Sequence, residues 1–136
     1  MKVVLDTNSL IVSIGRQSEF RPIFDAFLQG RINLVVSNDV LFEYVEILER
    51  RASTRVAQNI GDLLARSPYV QKVDIYYKWA VIYADADDNK FVDCALNGNA
   101  QFIVTDDKHY NVLRNVEFPN MKVVRTEDFL SMLTLG

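Results

Sequence analysis

Asn33-Leu34-Val35-Val36-Ser37-Asn38-Asp39-Val40-Leu41-Phe42-Glu43-Tyr44-Val45-Glu46-Ile47-Leu48-Glu49-Arg50-Arg51 joins a short apolar run to a capping cluster and then to a segment with helical spacing. Leu34-Val35-Val36 is the kind of run that fits a strand buried on both faces. Ser37-Asn38-Asp39 supplies hydroxyl, amide and carboxylate oxygens suited to the start of a helix. From Asn38 to Arg51, Leu41, Tyr44, Val45 and Leu48 fall on one face.

The same alternation extends in both directions. Val3-Val4-Leu5, Phe102-Ile103-Val104 and Val123-Val124 are further strand candidates. Helical spacing is predicted from Phe20 to Leu28 with Gly30 as the stop, and from Thr54 to Arg66 with Ser67-Pro68 ending it. It returns from Asp88 to Asn97, with Gly98 as a C-terminal stop, and from Glu127 to Leu135. The segment from Val70 to Tyr83 is aromatic and ambiguous between the two periods. Strand, helix, strand in this order predicts an α/β fold with a mostly parallel sheet covered on both sides.

No linker or repeat interrupts residues 1–136, so a single domain is expected. A hydrophobic fraction of 49% with 24% charged residues reads as soluble and globular. The apolar stretches fall short of the roughly 20 positions that a membrane helix needs. The opening residues lack the extended apolar region of a secretory signal, and a cytoplasmic protein without a membrane segment is the expectation. Cys94 stands alone, which excludes an intrachain disulfide and a cysteine zinc site and leaves a small apolar residue on a buried helix face. A net charge of -3 and a pI near 5.1 argue against a wide basic surface for nucleic acid. Asp85, Asp87, Asp88, Asp93, Asp106 and Asp107 concentrate the negative charge locally, and bound cations would reverse that field.

Acidic residues also adjoin the apolar runs. Asp6 follows Val3-Val4-Leu5, and Asp106 and Asp107 follow Phe102-Ile103-Val104-Thr105. If those strands are parallel, the three carboxylates emerge on the edge where open α/β sheets bind ligands. Glu43 lies on the flank of its helix's apolar face, while Glu46, Glu49 and Arg50 share a polar face. Asp88 shares a face with Phe91, Val92 and Ala95, whereas Asp93 aligns with Asn89 and Asn97 and reads as solvated or paired with Lys90. Taken singly, each acid has a plainer reading: Asp6 as a cap, Asp88 as a dipole partner, Glu43 as a boundary carboxylate, Asp107 as a turn residue. Capping gives no reason for four acids beside core segments. A shared divalent cation does, since a charge at the edge of a core needs a partner.

The opening Val4-Leu5-Asp6-Thr7-Asn8, the glutamate on the helix after Ser37, Asp85-Ala86-Asp87-Asp88-Asn89-Lys90-Phe91 and Ile103-Val104-Thr105-Asp106-Asp107 together resemble PIN-domain ribonucleases, especially the bacterial toxin components of toxin–antitoxin systems. The resemblance implies a three-layer α/β/α sandwich and metal-dependent RNA cleavage by a homodimer restrained by an antitoxin. Carried over, the family's acidic quartet falls on Asp6, Glu43, Asp88 and Asp107, with Asp106 as the alternate to Asp107. Asn8 and Thr105 match supporting positions. Mg2+ or Mn2+, one or two ions, suits an all-oxygen ligand set. The expected products carry 5′-phosphate and 3′-hydroxyl ends.

Beside these acids, Lys90 and Lys108 are candidates for phosphate contact, and His109 reads as an exposed loop residue. Trp79, Tyr76, Tyr77 and Tyr83 suit core or dimer packing, with base stacking as the other use. Two other classes stay open: a metal-retaining module that only binds a partner, and an aspartate-dependent phosphohydrolase, against which stands the missing second Asp in Asp6-Thr7-Asn8.

Overall fold

Val3, Val4, Leu5, Leu34, Val35, Val36, Ile103 and Val104 are all buried, as strands sealed on both faces require. In the computed structural model, which describes residues 1–76, 89–115 and 121–135, they form the centre of one sheet. Its strands are β1 (Lys2–Leu5), β2 (Asn33–Val36), β3 (Val70–Lys72), β4 (Phe102–Val104) and β5 (Lys122–Val124). The order is β3-β2-β1-β4-β5, and every pairing is parallel. Parallel neighbours need long crossovers, and helices supply them.

The helices are α1 (Thr7–Ile14), α2 (Arg21–Leu28), α3 (Asn38–Arg51), α4 (Thr54–Arg66), α5 (Asn89–Asn97) and α6 (Thr126–Leu135), with a 3₁₀ turn over Lys108–Asn115. They cover both faces of the sheet, giving the expected three-layer α/β/α sandwich. β3, at the start of the aromatic segment, and the 3₁₀ turn were not foreseen, and α1 over Thr7–Ile14 was raised only through the reading of Asp6 as a cap.

Strand order decides where a site can form. The chain runs from β1 outward through β2 to β3 and then returns to the other side of β1 to lay down β4. A crevice opens at such a reversal, beyond the carboxyl ends of the two strands that flank it. Leu5 is in register with Val104, and the ladder continues one step further, with Asp6 N–H donating to Val104 O at 3.0 Å. Asp6 and Thr105 therefore leave the sheet side by side.

Helix α3 is drawn against this edge by Tyr44, whose buried hydroxyl donates to Leu5 O. Tyr44 also lies near Phe91 of α5, the ring centroids 6.5 Å apart. Helix α5 packs on β1, β2 and β4, and at its end Gly98 permits a close approach: a Cβ there would stand 2.4 Å from a Val35 methyl. Cys94 is buried in this layer as expected, and burial pushes its thiol up to about 12. Gly30, the predicted stop of α2, has φ of 76°, the left-handed backbone in which glycine is unstrained. Among the described residues no helix is long and apolar enough to cross a membrane.

Candidate active site

Asp6 occupies the N-cap position of α1, yet its carboxylate does more than cap. Oδ1 accepts from Thr7 N–H at 2.8 Å, while Oδ2 accepts from the Thr105 hydroxyl, also at 2.8 Å, across the β1–β4 seam. The residue is 7% exposed, and a carboxylate so buried needs donors of this kind. Thr105, itself buried, also serves the loop that follows it, since its Oγ1 accepts from Asp107 N–H at 3.1 Å. One hydroxyl thus couples the Asp6 side chain to the backbone of Asp107.

Thr7 makes the corresponding link to α3. Its hydroxyl donates to Glu43 Oε2, and Lys90 Nζ of α5 lies 3.0 Å from Glu43 Oε1. Both side chains of this ion pair are about a quarter exposed, at 24% and 23%. Glu43 sits on the flank of α3 as predicted, with Glu46, Glu49 and Arg50 exposed. Burial, reinforced by the charges of Asp6 and Glu43, holds the neighbouring Tyr44 phenol well above its ordinary range, so it stays a proton donor.

The two acids after β4 diverge. Asp106 accepts from Thr126 N–H and from the Thr126 hydroxyl, both at 2.9 Å, and so caps α6. Asp107 accepts from His109 N–H at 2.9 Å, and His109 Nδ1 lies 3.4 Å from the same oxygen. Lys108 is exposed at the start of the 3₁₀ turn, and His109 is exposed within that turn rather than in a loop. Asn8 is exposed and accepts from Arg51 Nη1 at 2.6 Å.

Two expectations are corrected in part. Of the two readings of Asp93, solvated or paired with Lys90, the solvated one falls, since Asp93 is only 6% exposed. Helix α5 is hemmed in by α3 and three strands, which leaves little of its circumference to solvent. Tyr76 is 79% exposed and so is no part of the core. Asp88, Trp79, Tyr77 and Tyr83 lie outside the described residues.

The side chains that meet at the β1–β4 edge, Asp6, Thr7, Glu43 and Thr105, offer oxygen donors, the kind that hard divalent cations take. Among the described residues no three His, Cys, Asp or Glu side chains stand close enough to hold a metal on their own. Elsewhere, a groove of about 430 Å³ is lined by residues including Leu28, Leu63 and Tyr69 and contains none of the predicted site acids.

A family model for the PIN domain matches residues 2–109, from β1 to the turn after β4. The chain belongs to the PIN-domain family. No curated protein matches it by sequence. Among solved structures, this PIN domain is similar to VapBC2 from Rickettsia felis, crystallised with a DNA fragment from their promoter, with a TM-score of 0.60 and 17% identity over 92% of this chain and 98% of that one. FitAcB from Neisseria gonorrhoeae gives a TM-score of 0.55 at 16% identity, covering 92% and 98%. The PIN domain endonuclease Utp24 gives 0.55 at 17% identity, covering 91% and 84%. At such identities the likeness is one of fold.

Sequence reasoning passed over two polar residues of this PIN domain. Thr7 bridges Asp6 and Glu43 although it was read only as part of a motif, and Arg51 reaches Asn8 from the far end of α3. The signal for Thr7 was its position directly after a strand-end aspartate. Nothing local marks Arg51, which meets Asn8 only because α1 and α3 pack together.

Proposed function

We propose that this PIN domain is a divalent-metal-dependent endoribonuclease acting through Asp6, Glu43, Asp88 and Asp107, and that it is the toxin of a toxin–antitoxin pair. The observation that carries the reading is the Asp6 carboxylate, buried at the strand-order reversal and linked through Thr105 to the Asp107 loop and through Thr7 to Glu43. Membership of the PIN family supports nuclease chemistry, as does a fold shared with a PIN domain endonuclease. The toxin assignment rests on the motif resemblance, together with the likeness of fold to VapBC2 and FitAcB.

Asp6, Glu43, Asp88 and Asp107 would hold one or two Mg2+ or Mn2+ ions, whose chemistry when bound is to acidify a coordinated water and neutralise charge on the phosphodiester. The chain's own residues prepare that arrangement. Thr7 and Thr105 fix the Asp6 carboxylate before any ligand arrives, which removes a reorganisation cost from the reaction. Commitment of Asp106 to α6 supports Asp107 as the acid that serves the site. Lys108, exposed one residue on, is placed to meet a substrate phosphate. Partners on this reading are RNA, an antitoxin protein and a second copy of the chain, with the cytoplasm as the compartment.

The test is incubation of the purified protein with a panel of structured and single-stranded RNAs in Mg2+ or Mn2+, with EDTA and Asp88→Asn as controls. Cutting that needs metal and disappears in the variant is the expected result. Hydrolysis of small phosphoesters without RNA cleavage would identify a phosphohydrolase instead. Metal-dependent stabilisation with no turnover on any RNA would identify a binding module.

A further inference from the structure

Glu43 has a partner on each oxygen: the Thr7 hydroxyl on Oε2 and the Lys90 ammonium on Oε1 at 3.0 Å. Lys90 stands in the first turn of α5, where the helix dipole disfavours a cation. The Glu43 carboxylate on another helix offsets that cost. With both side chains about three-quarters covered, the pair is screened less than a surface ion pair.

We infer that Lys90 is a resident counter-ion for Glu43, which neutralises the acidic cluster when no metal is present and competes with a divalent cation for the same carboxylate. The inference rests on the metal-dependent reading above and concerns the regulation of that site. Without Lys90, the bare acids near Asp6 would repel one another in a half-buried setting. With it, a metal must either displace the ammonium from Oε1 or bind in its field. An ammonium 3.0 Å from the carboxylate oxygen opposes any cation that approaches the same atom, and partial exposure holds the effect to about tenfold in metal affinity. The chain would then fill only at the higher end of the metal concentrations it meets, and Lys90, once released, would be beside the site where a substrate phosphate arrives.

The decisive experiment measures Mn2+ binding to the full chain by isothermal titration, with free Mn2+ followed independently by its electron paramagnetic resonance signal. Wild type is compared with Lys90→Met, Lys90→Gln, Lys90→Arg and Glu43→Gln. The two neutral Lys90 variants should bind Mn2+ about tenfold more tightly than wild type. They should also melt at a lower temperature without metal and show a larger metal-induced rise in Tm. Lys90→Arg should behave as wild type, and Glu43→Gln should bind weakly. Unchanged or weaker Mn2+ binding in both neutral variants, with wild type and Glu43→Gln still distinct, would overturn the role of Lys90 and leave the metal site standing. If no variant binds Mn2+, wild type included, the metal-dependent reading fails and this inference with it.

Discussion

Two neighbouring strands end in the same way and put the result to different use. β2 runs into α3 through Ser37, and β1 runs into α1 through Asp6; both residues are buried N-caps on the carboxyl edge of the sheet. The Ser37 hydroxyl accepts from Val40 N–H at 3.3 Å, the ordinary work of a cap, and a neutral side chain does it without bringing a charge into the interior. Asp6 accepts from Thr7 N–H, the first amide of its helix, and turns its other oxygen to Thr105 on β4. A charge costs more to bury than a hydroxyl. Capping accounts for the bond from Val40 N–H to Ser37, whereas the Asp6 carboxylate also ties β1 to β4. The strand that distinguishes them is β4, which flanks β1 and does not touch β2.

Replacing the charge while keeping the shape should break the comparison most sharply. Asp6→Asn keeps one oxygen for Thr7 N–H and presents an amide NH2 that can donate to the Thr105 hydroxyl, so its Tm should stay within a few degrees of wild type, while RNA cleavage should fall by about a hundredfold or more. Next in size is Thr105→Val, which strips a donor from the buried Asp6 carboxylate. Its expected cost is about 1–3 kcal/mol in a denaturant melt, with a roughly 10- to 100-fold loss of cleavage.

The adjacent pair after β4 sharpens the point. Asp107→Asn should reduce cleavage by about tenfold or more at nearly unchanged stability. Asp106→Ala should instead lower stability by about 1 kcal/mol through the start of α6 and leave cleavage intact. The smallest effect belongs to the other junction: Ser37→Ala should cost about 1 kcal/mol in a melt and change no rate. Equal loss of activity from Ser37→Ala and Asp6→Asn would mean that capping, and not charge, is what the edge requires.

Most of the layered fold was readable because the central strands are continuous apolar runs and α3 and α4 carry clear start and stop signals. The predicted bounds Asn38–Arg51 and Thr54–Arg66 are those observed. β3 escaped because it is an edge strand: Val70-Gln71-Lys72 pairs with β2 alone and has one apolar residue, so it presents no apolar run. α1 escaped the periodicity because Thr7, Asn8, Ser9 and Ser13 break the apolar pattern, and Thr7, Ser9 and Ser13 are buried against polar partners that lie far away in sequence or in the helix's own backbone. The convergence of Asp6 with the loop after β4 followed from parallel pairing. The roles of Asp106 and Lys90 did not, since each is defined by a residue at least 20 positions away. Helical periodicity alone left a solvated Asp93 open because it does not show that this helix is enclosed by strands and a second helix.

On the proposed mechanism the carboxylates at the β1–β4 reversal share a divalent cation. Crystals of the protein soaked in Mn2+ and measured on either side of the manganese absorption edge test it directly. An anomalous peak bounded by Asp6 and Glu43 is the predicted result, and it should vanish in Asp6→Asn crystals treated in the same way. Ordered density for both carboxylates with no anomalous signal between them, at a Mn2+ concentration that supports RNA cleavage, would contradict it.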